Sequence, residues 1–215
     1  MKKYTVQVSR SHYDFDEYLD TSRWASYYHQ IQSVHRVGKL LNKKRPSVLV
    51  VGVGDGIVAH VLKSMGMRVH TLDIDPQLKP DFVRSLPKFD ISKRIAFDCI
   101  VCAEVLEHIS YEDAQKSLKA MSEIARFVII SVPHKSAYIS FSLKLPFLTT
   151  WKYILSIPVN FLTHTFRGEH YWELGMRGYP VKRFKNSLTN AGFSVLRDFR
   201  VHELPWHHFF VGERK

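Results

Sequence analysis

The sequence predicts an α/β fold built on a mostly parallel sheet flanked by helices, and three observations carry that prediction. A run of β-rich apolar residues, SVLVVGV at 47–53, is too short for a typical helix and has the unbroken apolar character of a strand buried inside a parallel sheet. That run enters three closely spaced glycines, Gly52, Gly54 and Gly56, and then a segment with helical spacing. Further on, strand-like and helix-like segments alternate, which implies βαβ crossovers.

The elements follow in order. Residues 1–45 are expected to form an N-terminal helical cap, because from Ser22 to Leu41 apolar residues recur at helical spacing: Trp24, Tyr27, Ile31, Val34, Val37 and Leu41. Pro46 disfavours helix at Arg45, so KKRP at 43–46 is read as its end. Residues 46–134 read as the ligand-binding core: strand 47–53, helix 56–65, strand 69–72, irregular chain to 95, strand 97–102, helix 111–124 and strand 127–132. Residues 135–180 break this rhythm with a long apolar and aromatic stretch, read as a lid or acceptor-contact insertion. Residues 181–215 return to regular structure, with a helix at 181–191, Gly192 as the residue just past its end, and strands at 194–201 and 207–213. There is no internal repeat or linker, so residues 1–215 are expected to be one domain.

With 215 residues, 45% of them hydrophobic and 13% aromatic, the chain has apolar mass for one well-buried core and none of the bias of disordered or fibrous sequences. Thirty-one Lys and Arg against 20 Asp and Glu give a formal charge of +11, a surface that favours anions such as nucleic acid, acidic lipid or phosphorylated substrates. Cys99 and Cys102 alternate onto opposite faces of a strand and read as buried thiols, not a redox pair. MKKYTVQVSR lacks an apolar region after its lysines, and no apolar run reaches the roughly 18 residues a membrane span needs, so a soluble, cytoplasmic protein is expected. The stretch from Phe141 to Leu162 is broken by Lys144, Pro146, Lys152 and Pro158. It is suited to lie on a membrane, with Phe147 and Trp151 as candidate anchors, and not to cross one.

Glycines at a strand-to-helix turn allow close backbone approach to a ligand, and the helix start offers free N–H groups. The spacing is GxGxG, with Ile57 where a dinucleotide fingerprint would place its third glycine, which argues against a nicotinamide oxidoreductase. Asp73 ends the second strand in RVHTLDIDP, where a carboxylate can accept both hydroxyl protons of a ribose. An adenosine-containing cofactor fits both features.

VLVVGVGDG, TLDIDP and FDCIVCAEVLEHI together resemble the class I S-adenosylmethionine-dependent methyltransferases, over about residues 46–134. The resemblance implies a Rossmann-like sheet of seven strands with the last antiparallel, an arrangement that suits the two C-terminal strands and puts the 135–180 insertion after the fifth strand. It implies S-adenosylmethionine as cofactor and S-adenosylhomocysteine as product. Gly52, Val53, Gly54, Asp55 and Gly56 would then hold the methionine part, Asp73 with Ile74 the ribose, and Ser85 and Leu86 the adenine, while Ala103 and Glu104 would face the sulfonium. Two positions depart from the family pattern: Val50 where an acid often precedes the first glycine, and Ser85 where an adenine-contacting acid is usual. Affinity therefore leans on backbone contacts and Asp73. AEVL stands where amine-methylating nucleic-acid and protein-glutamine members carry an Asn/Asp/Ser-Pro-Pro-aromatic tetrad, so the expected acceptor atom is an oxygen.

A hydroxyl acceptor needs a base near its proton, and His108, His134 and His170 are the candidates. On a helix, Glu104, Glu107 and His108 would share a face, and with His170 they resemble the ExxEH metal site of some coenzyme Q and small-RNA O-methyltransferases. EVLEH also occurs in metal-free members, and helix-surface carboxylates are usually solvated or paired, so the site is read without a metal. The expected acceptor is a small molecule, a sugar or a lipid-linked intermediate. Two alternatives stand beside this reading: an RNA methyltransferase or RNA-binding protein, suggested by the charge and by KRFK at 182–185, and a non-catalytic scaffold.

Overall fold

The computed structural model describes residues 4–13, 20–88, 96–159 and 161–215. Four helices, α1 (Thr21–Leu40), α2 (Ile57–Ser64), α3 (Tyr111–Ile124) and α4 (Val181–Asn190), accompany nine strands. These are β1 (Ser47–Val51), β2 (Arg68–Asp73), β3 (Phe82–Val83), β4 (Phe97–Ala103), β5 (Ala125–Pro133), β6 (Ser136–Leu143), β7 (Trp151–Pro158), β8 (Phe193–Arg200) and β9 (His207–Arg214). Seven strands form one sheet in the order β3-β2-β1-β4-β5-β9-β8. Pairing is parallel from β3 to β5 and antiparallel on both sides of β9, the Rossmann-like arrangement expected. The strand order reverses between β1 and β4, the point where open α/β sheets leave a crevice beyond their carboxyl ends.

Strand alternation sorts the core onto two faces. Leu49, Val51, Ile100, Cys102, Val128 and Ile130 pack on one side with α3 and α4, while Val48, Val50, Cys99, Val101, Phe127 and Ile129 pack on the other with α1 and α2. The two cysteines are thus free, buried and on opposite faces, with burial raising both thiol pKa values.

Local chemistry sets the helix ends. Asp20 caps α1 by accepting the N–H of Arg23 at 2.7 Å, and Ser110 caps α3 by accepting the N–H of Asp113 at 3.2 Å. At the other end α1 stops before KKRP: Asn42 adopts φ +52 and Lys43 N–H returns to the Gly38 carbonyl at 2.8 Å, so a left-handed asparagine, and not Pro46, turns the chain. Gly192, at φ +103, follows α4 as expected.

Two sequence expectations need correction. The stretch read as irregular up to 95 contains a 3₁₀ turn at Pro76–Leu78 and the two-residue strand β3, both too short to leave a periodic signal; its residues 89–95 lie outside the described residues, as do 1–3 and 14–19 of the N-terminal segment. The 135–180 segment is not one lid. Its first part is a separate two-stranded ribbon of β6 and β7, but Trp172 and Leu174 near its end are fully buried in the main core. Trp172 packs edge-on to Tyr111 and beside Phe184, and its indole N–H donates to the Ile109 carbonyl at 3.1 Å. Among the described residues no helix is long and apolar enough to cross a membrane.

Because Trp172 fills the core where α3 and α4 meet, Trp172→Ala should cost about 3 to 5 kcal/mol of unfolding free energy, measured by urea denaturation.

Candidate functional site

At the carboxyl ends of β1, β2 and β4 the chain encloses a cavity of about 210 Å³. Its floor is the glycine turn. Gly52 stands at φ +80, and a Cβ there would lie 2.3 Å from a methyl of Val105, so both conformation and space demand glycine. Gly52 N–H donates to the Leu72 carbonyl at 2.8 Å, carrying the β1–β2 pairing one residue beyond β1. Asp73 then fixes the turn: its carboxylate accepts the N–H of Val53 at 2.7 Å and of Asp75 at 2.9 Å. Each oxygen keeps lone-pair capacity for a further donor.

Of the residues expected from sequence to hold a cofactor, Gly52, Val53, Gly54, Asp55, Asp73, Ile74, Ser85, Leu86, Ala103 and Glu104 all line this cavity, and Gly56 lines a second pocket that adjoins it at Gly54 and Asp55. Val50, one of the two departures from the family pattern, also lines it.

The three candidate bases separate. His108 lines the cavity. Gln7 donates to the His108 carbonyl at 3.4 Å, which turns its amide oxygen toward His108 Nδ1 at 2.5 Å, while Nε2 lies 3.9 Å from the buried Glu107 carboxyl. Burial, with His170 next, lowers the His108 pKa to about 4. His170 stands behind it, its ring edge-on at 5.0 Å and its Nδ1 donating to Glu173 at 2.9 Å. His134 is elsewhere: it stacks on His208 with the two Nδ1 atoms 2.9 Å apart and does not line the cavity.

Glu104, Glu107 and His108 do not share a helix face as expected. Glu104 sits at φ +53 where β4 ends, and only Leu106–His108 forms a 3₁₀ turn. Glu104 faces the cavity, accepts Ser131 Oγ at 2.7 Å and lies 3.6 Å from His207 Nε2. Glu107 is fully buried, neither of its carboxyl oxygens has a hydrogen-bond partner among the described residues, and with His108 and His170 it offers three ligand atoms within 4.8 Å of one another. Burial raises the Glu104 pKa to about 7 and holds that of Glu107 well above the usual range, with the neighbouring Glu104 adding to the effect.

Sequence reasoning missed several cavity residues. His207, buried at the start of β9, binds Ser26 of α1 through Nδ1 at 2.9 Å, and burial lowers its pKa to about 3. Tyr27 of α1 hydrogen-bonds Asp55, and Tyr4 and Gln7 line the opposite wall. Tyr27 did show in the helical period; His207, in a strand otherwise read only for its alternation, gave no signal of its own.

Glu104 holds its proton in the folded protein up to about pH 7 but loses it near 4.5 when unfolded, so its contribution to stability is present below 4.5 and lost as pH rises through 7. Glu104→Gln should therefore be more stable than the parent at pH 8 and close to it at pH 4, measured by urea denaturation at both pH values.

A family model described as a methyltransferase domain matches residues 17–197. No curated protein is significantly similar to the chain in sequence. Among solved structures, the chain is similar to the CcbJ methyltransferase of Streptomyces caelestis, with 10% identity, a TM-score of 0.62 and coverage of 98% of this chain and 99% of that one. It is also similar to the magnesium protoporphyrin IX methyltransferase of Synechocystis with bound S-adenosylmethionine, at 16% identity, a TM-score of 0.59 and coverage of 92% and 85%. The 1,6-didemethyltoxoflavin-N1-methyltransferase of Burkholderia thailandensis, with its substrate and S-adenosylhomocysteine bound, gives 14% identity, a TM-score of 0.58 and coverage of 89% and 80%. With most of its length matched by the family model and this sheet order, the chain belongs to the methyltransferase-domain family and has the class I methyltransferase fold.

Proposed function

We propose that this protein is an S-adenosylmethionine-dependent methyltransferase that methylates an oxygen of a small-molecule, sugar or lipid-linked acceptor. The observation that carries the reading is the strand-end cavity on which the glycine turn, Asp73, Ser85, Leu86, Ala103 and Glu104 converge. Similar structures with bound S-adenosylmethionine, S-adenosylhomocysteine and sinefungin support the cofactor. When bound, that cofactor supplies an electrophilic methyl group on a sulfonium.

The chain's own residues do the rest. The Gly52–Gly56 turn offers backbone N–H groups beside the start of α2, suited to a carboxylate. Asp73 keeps acceptor capacity for ribose hydroxyls while bracing the turn. Walls from the N-terminal segment and α1 exclude water and hold the acceptor in line, the main requirement of a displacement. His108, which lines the cavity and is kept unprotonated by burial, takes the hydroxyl proton, and Gln7 orients its ring.

The nucleic-acid reading is weaker because KRFK is already engaged: Lys185 pairs with Asp198 at 2.5 Å, and Arg183 lies over Tyr111 and donates to the Gly178 carbonyl. A formed cavity argues against a scaffold.

One observation favours a second reading of the acceptor side. A fully buried carboxylate without a donor, facing two imidazoles that are themselves oriented by Gln7 and Glu173, is a donor set that fits a divalent cation. Glu107, His108 and His170 would hold it, and it would supply Lewis-acid activation of the acceptor oxygen. Elemental analysis of the purified protein decides between the two readings: one equivalent of metal, lost in His170→Ala, makes His108 a ligand, and a metal-free active enzyme keeps it as the base.

Calorimetric titration should show S-adenosylhomocysteine binding, and saturation to 100 times the dissociation constant should raise the melting temperature by about 5 to 10 °C. Asp73→Ala and Gly52→Ala should each weaken that binding at least about tenfold, the equivalent of one charge-assisted hydrogen bond. Absence of binding by the folded parent would remove the reading. With a hydroxyl acceptor, His108→Gln should lower kcat by about 10² to 10⁴ with the S-adenosylhomocysteine affinity retained, whereas an unchanged rate with methylated amine as product would assign a nitrogen acceptor.

A further inference from the structure

The ribbon of β6 and β7 is amphipathic in the sense opposite to that of a strand pair covering a core. Its register puts Ala137, Ile139, Phe141 and Leu143 across from Ile157, Leu155, Tyr153 and Trp151, and strand alternation places all eight on one face. The other face carries Ser136, Tyr138, Ser140 and Ser142 opposite Pro158, Ser156, Ile154 and Lys152. A ribbon folded onto its own protein would turn the first face inward. Here that face is exposed: Ile139, Phe141, Trp151, Tyr153 and Ile157 are each more than half accessible.

Contacts of the opposite face hold this orientation. Lys152 pairs with Glu203, Arg200 donates to Ser156 and lies over the Tyr138 ring, so the polar side is tied to the main domain around the β8–β9 connection. The tip between the strands, residues 144–150, adds Leu145, Phe147 and Leu148, all exposed. Phe147 is fully exposed at φ +64, a conformation a bulky residue rarely adopts.

We propose that the outward face of this ribbon, with its tip, seats the protein on an anionic phospholipid surface. Charge selects that occupant. From Lys135 through Gly168 the chain has no Asp or Glu, and Lys135, Lys144 and Arg167 are exposed, a pattern complementary to an acidic leaflet. Trp151 and Tyr153, both on the outward face, are residue types that favour the headgroup level. Among the described residues the outer edges of the two strands have no neighbouring strand, so the ribbon lies at the interface and does not penetrate the hydrocarbon. The inference is independent of the methyl-transfer reading: it needs only the folded chain.

The test is co-sedimentation of the full chain with phosphatidylcholine vesicles with and without phosphatidylglycerol. Partitioning should require phosphatidylglycerol and weaken with salt. The double variant Phe147→Ser, Trp151→Ser should lose at least about tenfold in partition coefficient. Lys144→Glu should lose about fivefold or more. The unfolding midpoint of each variant should stay close to the parent's, because Phe147 and Lys144 are exposed and Trp151 packs only on the surface of the ribbon. Equal partitioning of parent and double variant, or no partitioning of the parent into either vesicle, would overturn the proposal. A concentration-dependent dimer in sedimentation equilibrium, abolished by the same substitutions, would assign the face to a second copy instead.

Discussion

The hydrogen bond from Val53 N–H to the Asp73 carboxylate is the constraint on which the cavity depends. β1 and β2 are parallel neighbours, and nothing in parallel pairing obliges the chain beyond β1 to stay near the end of β2. The Gly52 N–H to Leu72 carbonyl bond carries the pairing one residue further, and Asp73 extends it, since it also accepts from Asp75 and so binds its own following turn to the glycine turn. Sterics then settle which residue can stand at the hinge. A charge-assisted bond contributes about 1.5 to 3 kcal/mol, but a Cβ at Gly52 would overlap Val105 at 2.3 Å and would have to be accommodated by moving β1 or the chain after β4. The turn is therefore fixed from two sides, electrostatically by β2 and sterically by the chain leaving β4. Their gap is the strand-order reversal of the sheet.

The same confinement sets the chemistry of the walls. Water is displaced from Glu104, Glu107, His108 and His207 alike, and desolvation is the first cause of every one of their shifts. Its effect has opposite sign on acids and bases, raising the carboxyls and lowering the imidazoles, so both classes are driven toward neutrality. Within a chain of net charge +11, Glu107, His108 and His207 are thus held largely uncharged at neutral pH, beside the aspartates and arginines that also line the cavity. An unprotonated His108 has a ring lone pair, where a protonated imidazole would have none.

The parts of the site that were legible in the sequence are those in which local pattern and function coincide. Gly52, Gly54 and Asp73 lie at the ends of strands whose apolar runs announce themselves, and the distance between them along the chain is one βα unit. Ser85 and Leu86 could be placed only through the family resemblance, since the chain before them carries only a two-residue strand. What stayed hidden depends on contacts remote in sequence. Ser26 meets His207 across 181 residues and Tyr4 meets Asp113 across 109, and no periodicity encodes such pairs. The helical reading of Glu104 through His108 failed for a local reason that composition does not show: Glu104 takes a left-handed φ, so its side chain turns toward Ser131 and His207 while Glu107 goes into the core.

The ribbon shows the same limit from the other side. Alternation in β6 is plain in the sequence, and it specifies that one face is apolar without saying which way that face points. In a strand pair lying on a core, hydrophobic burial decides the direction, worth about 25 cal/mol for each Å² covered. Here the polar face is tied down through Lys152, Ser156 and Tyr138 to Glu203 and Arg200, so the folded monomer forgoes that gain on the apolar face. Surface ion pairs contribute little each, and on their own they would not outweigh the burial of Phe141, Trp151 and Tyr153 if a receptive surface existed on the domain. Among the described residues both faces of the main sheet are already covered, by α1 and α2 on one side and by α3 and α4 on the other, so the ribbon has no open sheet face to pack on. The apolar face points outward because the domain's own core is complete without it.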